Sequence, residues 1–465
     1  MTTWAEFYHS IRDPSWPDCN VESDFALLPQ HIQQECRTEF GYQPGAFART
    51  SKLKNRVFPI KTATACQLKW NWSTLYLSTE KTASCHRTNH HTFDVQVFDF
   101  HNTPAKLEDR KRMLAGDWPA VGCDYCRNIE AAGGNSDRIT NLDFPGIHAP
   151  PELDLDLTAT HVTPRILEVY FDNTCNLKCL YCGPSFSSLW DAENRKAGLP
   201  GFVKSTQFEQ NKQRLFEWLK QNSHHLTVFN ILGGEPLYQI ELEQCLDLFE
   251  QYPAPELKLQ IFTNLNTKLS HLQQVIARVK TLVDAGHLRE FEVTASLDCW
   301  GPEQEYVRYP LDLTVWEKNF EYLLSERWIN LIINSTVTPL TIKTLPDLLQ
   351  KINEWNQVRP VYHYQNSVNG PDYMFIDLFG NVFADDFAKA IELKPLSTPE
   401  ERASCNYLVG IAAQCASSRP NLVKITKLFN FLNEMDRRRQ TSWPQTFPWL
   451  IPLFAQHNLQ LGISE

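Results

Sequence analysis

From about residue 164 the chain alternates between short apolar or β-branched runs and longer segments whose apolar residues recur at helical spacing. The runs are RILEVYFD (165–172), LTVFNIL (226–232), LKLQIFT (257–263), FEVTASL (291–297), INLIINSTV (329–337) and PVYHYQN (360–366). Between them lie FEQNKQRLFEWLKQN, ELEQCLDLFEQY, LSHLQQVIARVKTLV, TVWEKNFEYLLSE and LPDLLQKINEW. Six such repeats with buried strands predict an α/β fold, a parallel sheet curled into a partial (β/α)6 barrel of TIM type. In such folds chemistry gathers at the C-terminal ends of the strands, so the residues following each run are the informative ones.

The remainder divides by texture. Residues 1–55 read as short helical pieces broken by proline, and 56–150 as a mixed α+β domain containing the strand-like STLYLST. A proline-rich linker is expected at 144–157. The barrel is expected over 160–370, and 371–465 as a helical extension. That extension is read as a short hairpin (YMFIDLFGNVF), then helices, the last of them charged and running into an aromatic, proline-rich tail.

A formal charge of −10 argues against nucleic acid as the main partner, since that normally requires a basic footprint. The opening MTTWAEFYHS lacks an apolar signal core, and no run approaches a membrane span. Thirteen cysteines in such a chain read as thiols and metal ligands in a reducing, cytoplasmic setting.

Three of those cysteines follow the first strand directly, in FDNTCNLKCLYCGP: Cys175, Cys179 and Cys182, spaced C-x3-C-x2-C. Structural zinc takes four protein ligands and a ferredoxin-type [4Fe–4S] cluster takes four cysteines. Three local thiolates therefore suit a cubane with one iron left open. Zinc with a distant fourth ligand, or three thiols buried by chance, are the competing readings.

CNLKCLYC resembles the cluster motif of the radical S-adenosylmethionine (SAM) superfamily, including the aromatic Tyr181 before the last cysteine. The resemblance implies that the open iron chelates the amino and carboxylate groups of SAM. One electron then cleaves SAM to methionine and a 5′-deoxyadenosyl radical. The second strand ends in GGEP, Gly233, Gly234, Glu235 and Pro236, similar to the family motif whose glutamate contacts the SAM amine. Thr263 and Asn264, after the third strand, stand where the family has a polar pair near the ribose, with Leu265 where glycine is frequent. Ser296 and Asp298, after the fourth, are implied to face ribose or substrate, and Arg308 to pair with the SAM carboxylate. Asn334 and Thr336 extend the pocket from the fifth.

Upstream, Cys66, Cys85 and the knuckle Cys123–Cys126 make a complete four-thiolate set, suited to zinc or to a fully ligated cluster. His86, His90 and His91 keep a mixed zinc site open. The arrangement, with the stretch from Glu130 through Arg138, resembles the twitch module of radical SAM enzymes, here amino-terminal to the barrel. It implies an auxiliary [4Fe–4S] cluster for electron transfer.

Among the other cysteines, Cys299, Cys405 and Cys415 are candidates for a thiol that returns a hydrogen atom to a substrate radical. Inert packing is the alternative. The resemblance implies peptide chemistry on a ribosomal precursor: backbone excision, crosslinking or epimerisation. The expected partners are the precursor peptide, a separate leader-recognition protein and a flavodoxin- or ferredoxin-type electron donor. A radical SAM enzyme for a small molecule or RNA, and a non-enzymatic Fe–S or zinc module, are the alternatives.

Overall fold

The computed structural model describes residues 64–86, 88–131, 136, 138 and 161–459. The helical pieces expected over 1–55 and the linker at 144–157 lie outside the described residues. Two compact units form: Met1–Tyr170 with Lys204–Asn230, and Phe171–Val203 with Ile231–Glu465.

In the first unit, α1 (Gln67–Asn71) runs straight into β1 (Trp72–Tyr76), and β2 (Lys81–Ala83) and β3 (His91–Thr92) follow. The expected strand STLYLST is extended only as far as Tyr76, and Leu77–Thr79 wind into a 3-10 turn. Helix α2 (Pro104–Leu114) starts on Thr103, whose side chain accepts from the Lys106 amide, with Pro104 at the first helical position. Next come α3 (Asp124–Ala131) and β4 (Ile166–Tyr170). β1 pairs in parallel with β4 from Trp72↔Ile166 to Tyr76↔Tyr170, and antiparallel with β2. α2 is polar in composition, yet it buries Lys106 and Arg110. The Lys106 ammonium donates to three neutral acceptors, Ser73, Thr82 and the Phe100 carbonyl, at 2.8–2.9 Å.

The chain passes through α4 (Ser188–Lys196) in the second unit, then returns to the first with α5 (Phe208–Asn222). β5 (Val228–Leu232) contains the boundary between the units. The second unit continues as α6 (Ile240–Gln251), β6 (Ala254–Thr263), α7 (Leu269–Asp284) and β7 (Leu288–Ser296). After these come α8 (Pro302–Val307), α9 (Leu313–Ser325), β8 (Asn330–Val337), α10 (Leu345–Val358) and β9 (Tyr362–Ser367). β6, β7, β8 and β9 pair in parallel, in that order. Among the described residues β3 and β9 each have a neighbour on one side only, so the α/β sheet they form is open rather than a closed barrel. All six expected strands and the five expected helices between them form.

The YMFIDLFGNVF segment is a correction. It forms no hairpin but short 3-10 turns, Asp372–Met374 and Ile376–Phe383, the latter broken by a kink at Gly380–Asn381. Met374, Ile376, Leu378, Phe379 and Phe383 are all buried, and Gly380 turns at φ 65 against the Ser418 carbonyl and Pro420. The apolar run wraps onto helices instead of pairing with a strand. The extension then forms α11 (Ala384–Leu393), α12 (Pro399–Ser417), α13 (Leu422–Arg439), α14 (Trp443–Thr446) and α15 (Leu450–Ala455). Its aromatic tail is a packed cluster, with Trp443 and Phe429 each edge-on to Phe454 at 5.2 and 5.1 Å. Among the described residues no helix is long and apolar enough to cross a membrane.

The second unit also buries a lysine among neutral partners. Lys394 donates to Ser404 at 2.7 Å and contacts His363 Nδ1 at 3.0 Å. Burial pushes its pKa from the ordinary 10.5 down to about 7. Between those values the unfolded chain holds a proton that the folded chain does not, so stability rises with pH across this window. The slope approaches about 1.4 kcal/mol per pH unit where the proton difference is complete. We expect the denaturant midpoint of Lys394→Met to change less between pH 7 and pH 9.5 than that of the wild type. Parallel pH profiles would refute the neutral-lysine reading.

Candidate functional site

In the second unit the loop after β4 is held by its backbone. The Lys178 amide donates to the Tyr309 carbonyl at 2.7 Å and the Leu180 amide to the Val307 carbonyl at 2.8 Å. The loop therefore lies along the segment that carries Arg308. Cys175, Cys179 and Cys182 are half-buried. Burial, reinforced by neighbouring thiols, pushes Cys175 far up and Cys182 up to about 12. Burial also raises Cys179, against the nearby Arg308 charge.

The GGEP turn sits directly against this loop. Gly234 has φ 46, and a Cβ there would meet the Thr174 carbonyl oxygen at 2.0 Å. No other residue fits this approach without moving the cysteine loop. The Glu235 amide donates to that same carbonyl at 2.8 Å. The Glu235 carboxylate accepts from Thr263 Oγ1 at 2.7 Å, the Asn264 amide at 2.6 Å and the Leu237 amide at 3.1 Å. Burial pushes its pKa up to about 7, and those three donors oppose the shift. Pro236 is buried and opens the short turn Pro236–Tyr238.

Thr263 and Asn264 thus serve as donors to Glu235. Asn264 Nδ2 donates to Asn176 Oδ1 at 2.9 Å, and Asn176 donates to the Asn266 carbonyl at 2.6 Å. Leu265 adopts φ 52, a left-handed backbone that explains why glycine suits this position. Its side chain is buried and its carbonyl accepts from Asn319.

Beyond β7, Asp298 is the junction. It accepts from Tyr181 Oη at 2.6 Å, from Arg308 Nε and Nη2 at 2.8 Å each, and from the Thr336 amide at 2.8 Å. Arg308 is buried and turned onto Asp298, and only Nη1 lies outside that pair. Ser296 is half-buried at the end of β7, and Asn334 and Thr336 are the half-buried positions of alternating β8. Cys299, Cys405 and Cys415 are all buried. Cys299 Sγ lies 3.7 Å from Gln304 Oε1, and burial drives its pKa well above the ordinary thiol value. A groove of about 510 Å³ runs beside the GGEP turn, lined by Leu237, Tyr238, Ile240, Lys268, His271 and Val275, and includes none of the cysteines.

Three contributors carry no motif. Gln239 donates through Nε2 to the Gly233 and Asp172 carbonyls at 2.7 and 3.2 Å, tying the turn to the cysteine loop. Asn176 closes the link to β6. Trp190 of α4 donates to the Cys179 carbonyl at 2.7 Å. Only a polar residue three positions past GGEP, and an Asn directly after the first cysteine, hint at the first two.

The first unit gathers Cys66, Cys85, Cys123 and Cys126 around one small cavity that Lys69, Trp118 and Arg138 also line. Cys66 caps α1 and Cys123 directly precedes α3. Lys69 pairs with Asp109 at 2.5 Å. Arg138 pairs with Glu130 at 2.5 Å, donates to the Ala65 carbonyl at 2.8 Å and lies over the Trp118 ring. Burial and the other three thiols push Cys66 far up, and burial takes Cys123 up to about 11. His86, His90 and His91 stand outside this lining: the first two meet the Trp72 and Tyr76 rings at a tilt, and His91 bonds Thr103.

Among the described residues no three Cys, His, Asp or Glu side chains converge on a single metal ion. Zinc would need all its sulfurs about 2.3 Å from one point. The four thiols line one small cavity of about 20 Å³, and a four-thiolate set suits either zinc or a cluster. Both cysteine sets fit a cationic inorganic group: the sulfurs are sequestered and mutually repulsive as thiolates, and a bound cation relieves that repulsion.

No protein-family model matches the chain, and no curated protein matches it. Solved structures give faint likenesses. One is anSMEcpe with bound AdoMet and the Kp18Cys peptide, 16% identical over 57% of this chain, with a TM-score of 0.33. The match spans 63% of that protein, less than two thirds of its length. Another is Streptococcus suis SuiB bound to S-adenosylmethionine, 13% identical over 75% of this chain and 70% of that one, with a TM-score of 0.34. A third is the Escherichia coli coproporphyrinogen III oxidase HemN, described as a radical SAM enzyme. It is 12% identical over 52% of this chain and 50% of that one, with a TM-score of 0.29. Likenesses this distant carry no functional weight, and the function rests on the site itself.

Gly234→Ala is expected to separate the GGEP turn from the cysteine loop. Its melting temperature should fall by several degrees, for about 2 kcal/mol or more of strain, and, on the cluster reading proposed below, the reconstituted variant should hold less iron at Cys175–Cys182. Wild-type iron content and stability would show that the two loops are not mechanically coupled.

Proposed function

We propose that this chain is a radical SAM enzyme that abstracts hydrogen from a peptide substrate. The observation that carries the reading is the three-thiol loop locked against a buried glutamate turn, Cys175, Cys179 and Cys182 beside Gly234–Glu235, at the ends of successive strands. A [4Fe–4S] cluster on those thiols, with SAM, would supply one-electron reductive cleavage to a 5′-deoxyadenosyl radical. The chain's own residues orient that chemistry. Glu235 uses one lone pair of Oε2 and both of Oε1 on protein donors, which leaves Oε2 one acceptor site for an ammonium group. Asp298 fixes Tyr181 and Arg308 together behind the cysteine loop.

The four-thiol cavity of the first unit is read as the site of an auxiliary [4Fe–4S] cluster that passes electrons, in a twitch-like module. Cys299, Cys405 and Cys415 are the candidate hydrogen donors; burial keeps Cys299 as S–H, the form that can return a hydrogen atom. The substrate is read as a ribosomal precursor peptide, presented by a separate leader-binding protein, with a flavodoxin or ferredoxin as reductant in the cytoplasm.

Anaerobically reconstituted protein given dithionite and SAM is expected to release 5′-deoxyadenosine, and Cys179→Ala to release none above a cluster-free control. Absence of the nucleoside from the wild type would overturn the reading. A Cys126→Ala variant is expected to keep cleaving SAM while losing modified peptide, followed by mass spectrometry. Equal loss of both would contradict the division between the two sites.

A further inference from the structure

The carboxy-terminal extension reaches the cysteine loop through one side chain. Arg439 is the last residue of α13 and its side chain is 2% exposed. Its guanidinium binds Glu193 of α4 through Nε at 3.2 Å and Nη2 at 2.9 Å. It also lies over the Trp190 ring, 4.6 Å from the centroid, and Trp190 is the residue that donates to the Cys179 carbonyl. Glu193 is shared with Lys178 of the cysteine loop at 2.8 Å, and Lys178 and Arg439 both approach the Tyr309 ring. The extension grips the neighbouring segment too: Asp436, one turn earlier, accepts from Tyr306 of α8 at 2.7 Å.

Two features of this contact exceed what packing requires. Lys178 and Arg439 share one carboxylate, Glu193, while Asp436, one turn from Arg439, is taken up by Tyr306, Thr441 and the Trp443 amide, and the Arg439 charge acts on Cys179. Among the described residues, Arg439 Nη1 is buried without a hydrogen-bond partner. A buried cation that shares its carboxylate is costly to hold unless further negative charge stands near it. Three thiolates on a [4Fe–4S] core leave one net negative charge on the group this loop is read as holding, which supplies the counterpart.

We propose that Arg439 is a positioning residue of the cysteine loop: it clamps Trp190 and Glu193 against the Cys179 segment and supplies the positive charge behind it. The carboxy-terminal helices are therefore part of the cluster site. This rests on the cluster reading above.

The test compares wild type with Arg439→Met, Arg439→Lys and Trp190→Phe after reconstitution. It reads iron per chain, the rate of iron removal by a chelator, and the reduction midpoint of the EPR signal that responds to SAM. Arg439→Met is expected to lower the midpoint by at least a tenfold change in the reduction equilibrium, about 59 mV for one electron. Arg439→Lys keeps the charge but loses the planar fork, so its midpoint should stay near wild type while iron removal quickens. Trp190→Phe keeps the ring and loses only the bond to Cys179. Its iron removal should be about tenfold faster, the usual cost of losing a group that orients a ligand.

A wild-type midpoint together with wild-type iron retention in Arg439→Met would overturn this inference alone. If that variant does not fold, unchanged iron removal in Trp190→Phe overturns it. A wild-type protein with no SAM-responsive signal would overturn the cluster reading, and this inference with it.

Discussion

The carboxylate of Asp298 joins three stretches of chain far apart in sequence: Tyr181 on the cysteine loop, Arg308 beyond β7 and the Thr336 amide of β8. Both partners of the ion pair are buried, so breaking it from one side would leave a stranded charge at a cost of about 3–5 kcal/mol. The junction stabilises less by attraction than by the penalty of undoing it. Because Arg308 lies between the Val307 and Tyr309 carbonyls that hold the cysteine loop, orienting Asp298 also orients the thiols.

A second device works through sterics. Gly234 and Thr174 approach so closely that the GGEP turn and the cysteine loop behave as one piece, and Gln239 secures it from below. Charge and close contact thus fix the same loop at two different residues, Tyr181 and Thr174. Both units hold buried cations in two ways. In the first, Lys69 and Arg138 each carry a carboxylate partner, whereas Lys106 donates to hydroxyls and a carbonyl; in the second, Arg308 has Asp298, whereas Lys394 donates to Ser404.

The strand and helix runs were legible because each obeys a local period, and the core demands that period wherever strands and helices alternate. The chemistry-bearing motifs were legible for the same reason, since they follow those strands. What escaped was set by partners distant in sequence. YMFIDLFGNVF has the apolar content of a strand but no strand to pair with, and Gly380 bends it under Pro420 instead. Asp298 and Arg308 are read from the sequence as candidate site residues, but nothing local shows that they bind each other. Trp190 and Arg439 lie 249 positions apart in the numbering and read separately as a core aromatic and a helix-end charge. Leu265 carries its reason in the backbone, as a left-handed turn that its buried side chain and Asn319 hold in place.

Burial of the cysteines has a chemical consequence for the chain before any metal reaches it. Oxidants and alkylating agents attack thiolates, and they progress from sulfenic acid toward irreversible products only where thiolate is available. Cys66, Cys123, Cys175 and Cys182 are all pushed toward the protonated form by their surroundings. Once folded, the chain would thus be slow to oxidise at these four thiols, which would become reactive chiefly toward a partner that brings positive charge. The pocket walls that shape the site would also preserve it for assembly.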